Sequence, residues 1–354
     1  MLNFIRWLVI TSVALAGVIA AGTALSKAPE TLAADMSRTA GNFLAALDGQ
    51  SRSRLEAGFD SPERSRWNYL PHGAGQPVGI STGELGADNR ENGFALLESG
   101  LSDQGLAKAR EIVALDDHLH SLTGRDYSSL HYWFTVFGDP NNGLPWGWRF
   151  EGHHLSLNFT VTARSVAATP LFFGSNPAEV TEGERRGLRI LAAEFDLALT
   201  LLNSLDSGQR RKAIVSDKTY GDIVYGMSQN ELPFGREGIA GRELTARQRE
   251  ALEHLIEEYV GNLNPALAAN YLERYRQAGL EDVYFAWAGG TAGGQACYYR
   301  VHAPGFVIEF DNSQLSAAGN DYNHFHTVWR DLHADFGEDL LREHYEKSPH
   351  HQHN

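Results

Sequence analysis

The hydrophobic positions of the chain follow two spacings, one typical of amphipathic helices and one typical of strands. Helical spacing occurs in segments that follow a side chain able to accept a hydrogen bond from the first turn of a helix. Short echoes at LDSGQRRKAI and LTARQREAL share only this helix-start chemistry, so they are not interpreted as a repeat. The predicted N-caps are Asp35, Thr181, Thr245 and Asn264. Helices are also predicted from Ser102 to His120 and, at the end of the chain, from Phe336 to Tyr345.

Segments with strand character lie in the middle of the chain and near its C-terminus. Residues 131–140 and 146–162 are predicted strands separated by the turn-forming sequence GDPNNGLP, so they are expected to form a hairpin. From Val283 the strand character returns through VYFAWAGG and CYYRVHAPGFVIEFDN. This arrangement predicts an α+β fold, with a mainly antiparallel sheet of central and C-terminal strands and helices packed on it. A single domain is expected over residues 35–346.

The two ends of the chain differ from this globular pattern. Arg6 precedes an apolar run from Trp7 to Leu25, which predicts a signal peptide or an N-terminal membrane anchor over residues 1–26. The expected location is therefore periplasmic or extracellular, with membrane attachment only through that segment. Residues 347–354 are polar and rich in histidine, and are predicted to be a disordered tail.

Composition narrows the classes of function. The 354 residues carry a formal net charge of −14, which argues against a nucleic acid partner because such a protein needs a basic face. The same charge argues against docking on an anionic membrane surface. Cys297 is the single cysteine, so no intrachain disulfide and no CxxC metal site can form. The expected partner is a small-molecule substrate or ligand.

Polar residues inside the predicted central strand are the strongest functional signal. Arg149 and Glu151 precede the pair His153–His154 in WGWRFEGHHLSLNFTVT, and buried polar groups there need partners. Because successive strand residues face opposite sides, His153 falls on the apolar face and His154 on the polar face, unless the strand bulges. His154 is therefore the better ligand candidate of the two.

A second set of histidines lies near the C-terminus. His324 and His326 are two residues apart in NHFHTVWRD, so on an extended segment both imidazoles point to one side. Together with a nitrogen from the central strand they predict a site for a divalent transition metal, with zinc, copper, iron and manganese all open. The predicted metal ligands are His153, His154, His324 and His326.

Carboxylates and arginines of the same strands are the predicted catalytic groups. Glu309 and Asp311 alternate in VIEFD, where buried carboxylates need a cation, a metal or hydrogen bonds. Either could complete a metal shell or act as a general base, and an arginine could stabilise developing negative charge. Structural salt bridges are the alternative for all of these groups. The predicted catalytic residues are Glu151, Glu309, Asp311, Arg149 and Arg330.

Four segments together resemble one family. The segments 146–160, 169–180, 298–314 and 323–345 are similar to a domain of unknown function, number 3500, which occurs in bacteria and in eukaryotes such as fungi. The resemblance extends over most of the chain after the signal segment, and it implies that this part forms one unit. It implies no activity, cofactor or catalytic residue.

Two hypotheses of function follow from the residues. The first is an exported metal-dependent hydrolase, and the second is a non-catalytic protein that binds a small ligand in a cleft lined by tryptophan and arginine. Tryptophans near the proposed site could stack on a sugar or an aromatic substrate, or belong to the core. They are Trp133, Trp146, Trp148, Trp287 and Trp329.

Overall fold

A computed structural model describes residues 29–75, 77–227, 229, 231–319 and 321–347. The helices are α1 (Pro29–Ala46), α2 (Gly49–Leu55), α3 (Ala87–Gly100), α4 (Asp103–Thr123), α5 (Ala192–Ser204), α6 (Ser207–Ala213), α7 (Ala246–Val260), α8 (Pro265–Ala278) and α9 (Glu338–Lys347). The strands are β1 (Glu56–Ala57), β2 (Ile80–Ser81), β3 (Tyr132–Phe137), β4 (Trp146–Gly152), β5 (Leu155–Val161), β6 (Val166–Ala167), β7 (Leu171–Ser175), β8 (Ile214–Ser216), β9 (Ile239–Ala240), β10 (Tyr284–Gly289), β11 (Cys297–His302), β12 (Phe306–Asn312) and β13 (Phe325–Asp331).

Within the described residues, the strands form one 13-stranded sheet. Its order is β1-β3-β4-β5-β7-β13-β12-β11-β10-β8, with β2, β6 and β9 paired beside β3, β5 and β10. The pairs of β1 with β3 and of β8 with β10 are parallel, and the long strands are joined in antiparallel pairs. The pair β7–β13 joins the central strands to the C-terminal ones, so distant parts of the sequence meet in the middle of the sheet.

The two halves of the chain repeat the same order of elements. In each half a short helix (α2 or α6) leads into a strand parallel to the first long strand, and a short antiparallel strand, two helices and a four-stranded meander follow. Gly79 and Gly238 precede β2 and β9 with φ of +103° and +102°, and an added Cβ would lie 2.0 or 2.2 Å from the carbonyl oxygen of Phe134 or Phe285. The repeat therefore relates α6 to α2, whereas the echoes noted in the sequence begin α6 and α7.

The sheet has one apolar face, which the helices cover. Leu155, Leu157, Phe159 and Val161 of β5 point into this core, as their alternation predicts. Four of the tryptophans near the site belong to the same core and are at most 2% exposed: Trp146, Trp148, Trp287 and Trp329. Stacking of these four on a ligand is thereby ruled out, because their rings are packed against other core side chains.

The opposite face of the sheet is polar, and two loops cover it. The first covering loop (residues 58–75) is held by Arg149, whose Nη1 donates to the carbonyl oxygen of Glu63 at 2.8 Å. Glu151 also holds this loop, because its Oε2 accepts from the backbone N–H of Asn68 at 3.0 Å. The two side chains pair with each other, with Nη2 of Arg149 2.9 Å from Oε1 of Glu151.

The second covering loop (residues 217–227) is held in the same manner by the C-terminal strands. The carboxylate of Glu309 accepts from the backbone N–H groups of Val224 and Tyr225 at 2.7 and 2.8 Å. Arg330 donates to the carbonyl oxygen of Tyr225 at 3.2 Å and pairs with Asp335. Polar residues that the sequence places inside strands thus attach the loops that close this face.

Several sequence predictions agree with these elements. The α+β class and the mainly antiparallel sheet are confirmed, and 131–140 forms a hairpin with the central stretch. Thr245 and Asn264 are N-caps as predicted, and the helix predicted over Ser102 to His120 corresponds to α4. Among the described helices, none combines the length and the apolar character needed to cross a bilayer. The predicted signal segment 1–26 and residues 348–354 of the predicted tail lie outside the described residues, and the single domain stays a prediction.

Other predicted boundaries are wrong. Asp35 lies inside α1 (Pro29–Ala46), so it does not cap this helix. Thr181 starts no helix, because glycines with positive φ interrupt the segment (Gly183 and Gly187) before α5 begins at Ala192. Phe336 has φ of +50° in a short 3-10 turn, so α9 begins two residues later.

Candidate metal centre

The pair His153–His154 forms the two-residue turn between β4 and β5, so the prediction that both lie within a strand is wrong. His154 adopts a left-handed backbone conformation with φ of +64°. Its ring lies against Gly174 of β7, where an added Cβ would be 2.7 Å from Cδ2 of His154. The turn conformation and the absence of a side chain at Gly174 together direct this imidazole over the end of β7, towards β13.

The start of β13, which pairs with β7, brings the C-terminal histidines to the same end of these strands. Nε2 of His154 lies 2.7 Å from Nε2 of His324, although the two residues are 170 positions apart in sequence. His154, His324 and His326 each offer a ring nitrogen, these nitrogens lie within 4.8 Å of one another, and the three residues are buried. The structure thus confirms that the two remote stretches meet, in a group that could hold a metal ion.

Asp222 orients one of these histidines. Nδ1 of His326 lies 2.7 Å from Oδ1 of Asp222, and the hydroxyl of Tyr69 donates to Oδ2 of Asp222 at 3.2 Å. Although burial favours the protonated form, the hydrogen bond from His326 keeps the pKa of Asp222 below its usual value. An Nδ1–H donated to this carboxylate leaves Nε2 of His326 free to bind a metal, as in many zinc proteins.

His153 is held in a different way. Its Nδ1 lies 2.6 Å from Oδ1 of Asp116, and its ring stacks on Tyr127 with centroids 4.9 Å apart. The hydroxyl of Tyr132 lies 2.7 Å from the carbonyl oxygen of His153 and 3.0 Å from Oδ2 of Asp116, so its one proton can be shared between these two acceptors. His153 therefore supports the turn and lines the cleft, but it is not one of the three residues whose nitrogens converge.

The three histidines lie at the base of a cleft of about 490 Å³. Tyr69 and Pro71 of the first covering loop form one wall, and Arg125 and Tyr127 of the segment after α4 also line it. Its remaining lining comes from residues 314–317 and Gly319, together with Asn176. Such a cleft leaves room for a small molecule beside the histidine nitrogens.

Burial keeps two of the imidazoles in their neutral form. Burial, followed by the neighbouring histidines, lowers the pKa of His154 well below its usual value, and burial lowers the pKa of His324 to about 3. Neutral imidazole is the form that binds metal ions, so these two residues need no deprotonation step near neutral pH.

The predicted catalytic residues occupy two kinds of position. None of the five lines the cleft, and Arg149, Glu151, Glu309 and Arg330 hold the covering loops. Asp311 lies opposite His326 in the strand pair β12–β13, where its carboxylate accepts from Oγ of Ser313 at 2.6 Å. Burial raises the pKa of Asp311 to about 6. Their roles in catalysis stay predictions.

Sequence reasoning missed Asp222, Tyr69 and Arg125. All three lie outside regular helices and strands, where neither periodicity nor a spaced motif marks them. For Asp222, the only indication in the sequence is the surrounding segment TYGDIVYG, which combines turn-forming residues with apolar ones. This pattern is typical of a loop that packs against the protein, but it does not mark Asp222 itself.

The variant Gly174→Ala tests whether the empty space at this position places His154. The added methyl group would lie 2.7 Å from Cδ2 of His154 and 3.0 Å from the carbonyl oxygen of Phe325, so the imidazole must move. We expect Zn²⁺ affinity, measured by competition with a chromogenic chelator, to fall about 10- to 100-fold, as for other changes to the support of a ligand. Gly293→Ala is the matched control, because no atom lies within 4 Å of its added Cβ. Equal affinities of the two variants would contradict this placement.

The variant Asp222→Asn tests the orientation of His326. Loss of the carboxylate removes the charged acceptor of Nδ1–H, and we again expect Zn²⁺ affinity to fall about 10- to 100-fold. Asp217→Asn, an exposed position in the same covering loop, serves as the control and should bind Zn²⁺ like the unmodified protein. An unchanged affinity in Asp222→Asn would show that His326 does not depend on this contact.

Comparisons with known proteins bear on the family and not on the chemistry. Neither a search of curated protein sequences nor a search of solved structures finds a significant match. One family model does match, over residues 30–338, which covers α1 through the 3-10 turn before α9. The chain therefore belongs to the family described as "Protein of unknown function (DUF3500)".

Proposed function

We propose that this protein is a metal-dependent hydrolase that acts on a small molecule bound in the histidine cleft. The observation that carries the proposal is the convergence of three buried imidazoles, His154, His324 and His326, at the base of an open cleft. Three protein ligands with a side left open to substrate are typical of catalytic sites, whereas structural zinc sites are closed by four.

The donor set suits a transition metal. Three imidazoles are compatible with zinc, copper or iron, and less so with magnesium or calcium, which prefer oxygen. A bound divalent ion would supply Lewis acidity and lower the pKa of a water molecule, which generates a nucleophile near neutral pH. The residues of the chain would hold the ion, orient its ligands and bind the substrate.

Two further groups fit roles in such a reaction. Asp311 is the predicted carboxylate nearest in register to the cluster, and its pKa of about 6 suits a general base near neutral pH. Arg125 lines the cleft, whereas Arg149 and Arg330 are bonded elsewhere. We therefore assign the binding of negative charge on the substrate to Arg125.

The test begins with metal content. Protein purified without an affinity tag, with His350, His351 and His353 replaced by glutamine, is analysed for bound metal and then assayed with 4-nitrophenyl acetate and bis(4-nitrophenyl) phosphate. At least one equivalent of metal, with hydrolysis that a chelator removes and Zn²⁺ or Fe²⁺ restores, supports the proposal. Bound metal without hydrolysis of either compound would leave a metal site and overturn the hydrolase.

The ligand-binding hypothesis has a distinct outcome in the same experiment. Tyr127 stacks on His153 and Tyr69 contacts the ring of His326 with centroids 5.3 Å apart, so aromatic surface is available for a ligand without any metal. Protein that remains metal-free after exposure to Zn²⁺, yet binds a small molecule in the presence of chelator, would favour this hypothesis.

A further inference from the structure

A second group of metal-binding side chains lies beside the histidine cleft. Nδ1 of His72 is 3.0 Å from Oδ2 of Asp126, and Nδ1 of His131 is 3.8 Å from Oδ1 of Asp126. The ligand atoms of the three residues lie within 4.8 Å of one another. We propose that His72, Asp126 and His131 bind a divalent transition metal, here called the rim site, in addition to any ion at the buried histidines.

The chemistry of the group fits this assignment. Two imidazoles and one carboxylate are a common ligand set for zinc and for iron, and solvent can fill the remaining positions. Ligand atoms about 2 Å from an ion lie roughly 3 to 3.5 Å apart, so these atoms need to approach by at most about 1.5 to 2 Å. The side chain of Asp126 is 73% exposed and that of His72 is 42% exposed, so both can adjust.

One unsatisfied polar atom points to a missing partner. Nδ1 of His131 is buried and has no hydrogen-bond partner among the described residues. The ring of His131 packs against that of His72 with centroids 4.1 Å apart, and Trp133 lies beside both. This packing holds the two imidazoles side by side, and an ion between Asp126 and Nδ1 of His131 would satisfy that nitrogen.

The rim site joins two walls of the cleft. His72 directly follows residues 69–71, which line the cleft, and Asp126 lies between two lining residues, Arg125 and Tyr127. The first covering loop and the segment after α4 come from different parts of the chain. An ion shared by His72 and Asp126 would cross-link them, so we infer that metal at the rim site rigidifies the entrance to the buried histidines.

The nearby Trp133 provides a local readout. Its ring centroid lies 5.8 Å from that of His72 and 6.4 Å from that of His131, close enough for bound Co²⁺ to quench its fluorescence. The background again carries glutamine at the three tail histidines. The emission of Trp133 is the difference between the background and the variant Trp133→Phe, and we expect bound Co²⁺ to quench it. In H72A/D126N we expect this quenching to be lost, with a Co²⁺ affinity at least tenfold weaker.

Metal stoichiometry separates the rim site from the buried one. By calorimetry with Zn²⁺, the background should bind two equivalents, H72A/D126N one, and H324A/H326A one with Trp133 quenching retained. His254→Ala, an exposed histidine on α7, is the control and should bind two. Quenching that persists in H72A/D126N, or equal stoichiometry in that variant and the background, would overturn the rim site. If the buried site alone did not bind metal, the background would bind one equivalent of Zn²⁺. H324A/H326A would still bind it, and H72A/D126N would not.

Hydrogen exchange tests the cross-link. Amide exchange in residues 66–75 should slow several-fold when Zn²⁺ is added to H324A/H326A, in which the rim site alone remains, and should not change in H72A/D126N. Exchange that is equally fast with and without Zn²⁺ in H324A/H326A would overturn the proposed tie between the two walls.

Discussion

Protein in which His324 and His326 are both replaced by alanine is expected to lose high-affinity metal binding at the buried site. The change removes two of the three converging imidazoles, and His154 alone cannot hold an ion against water. Structural zinc sites contribute on the order of 10 kcal/mol through three or four ligands, so we expect the Kd for Zn²⁺ at this site to rise by at least about 1,000-fold. Competition titration with a chromogenic chelator measures it, in the background without tail histidines.

The controls distinguish loss of ligands from loss of fold. Neither histidine belongs to the apolar core, and far-ultraviolet circular dichroism should be unchanged in the double variant. His333→Ala, an exposed histidine just beyond β13, should bind Zn²⁺ like the background. If H324A/H326A still bound as many equivalents of zinc as the background, the assignment of these histidines as ligands would be refuted.

The part of the site that could be predicted from sequence is the part carried by strand alternation. His324 and His326 are two residues apart, and β13 begins between them, so their shared direction follows from local geometry. His154 was favoured over His153 by the same argument, although the structure places both in a turn. His154 does belong to the converging group and His153 does not, but the positive φ of His154 and the open space at Gly174 place its ring, and strand alternation does not.

The remainder of the site depends on contacts that alternation does not encode. Asp222 reaches His326 from the second covering loop, which is fixed by Glu309 and Arg330 at positions more than 80 residues away in sequence. Buried polar residues in a strand indicate that they have hydrogen-bonding partners. The sequence does not say whether the partner of a carboxylate is a backbone N–H or a substrate, because either one satisfies it. The sequence therefore located the polar face and could not separate the groups that hold loops from those that line the cleft.

The two repeated halves differ in the connection that carries His154. The turn between β4 and β5 contains His153 and His154, whereas the corresponding connection between β11 and β12 is Ala303–Pro304–Gly305. The second connection lines a cavity of about 230 Å³ whose other walls include Leu280 and Phe306. Both halves share one topology, so the histidine cluster depends on a few residues at the β4–β5 turn and at the start of β13, and not on the topology itself.

The variant Arg149→Met is expected to cause the largest loss of stability. Arg149 and Glu151 are each 1% exposed, and Arg149 also donates to Glu63 in the first covering loop. Removing the cation leaves a buried carboxylate without its partner, and breaking a buried pair in this way costs about 3–5 kcal/mol. The free energy of unfolding, from urea denaturation followed by circular dichroism, should fall by that amount. The exposed pair of Arg38 and Asp35 offers a control, since Arg38→Met should cost less than about 1 kcal/mol.

The pH dependence of this loss identifies its cause. Burial raises the pKa of Glu151 although Arg149 opposes the shift, so without Arg149 the folded-state pKa should rise further. A carboxyl with a raised folded-state pKa contributes stability that is fully present below its unfolded pKa and is lost as pH rises through the folded value. The defect of Arg149→Met should therefore be smallest in mild acid and grow towards pH 8, and the second substitution Glu151→Gln should remove this slope. A loss that is independent of pH would instead assign the effect of Arg149 to its packing and its bond to Glu63.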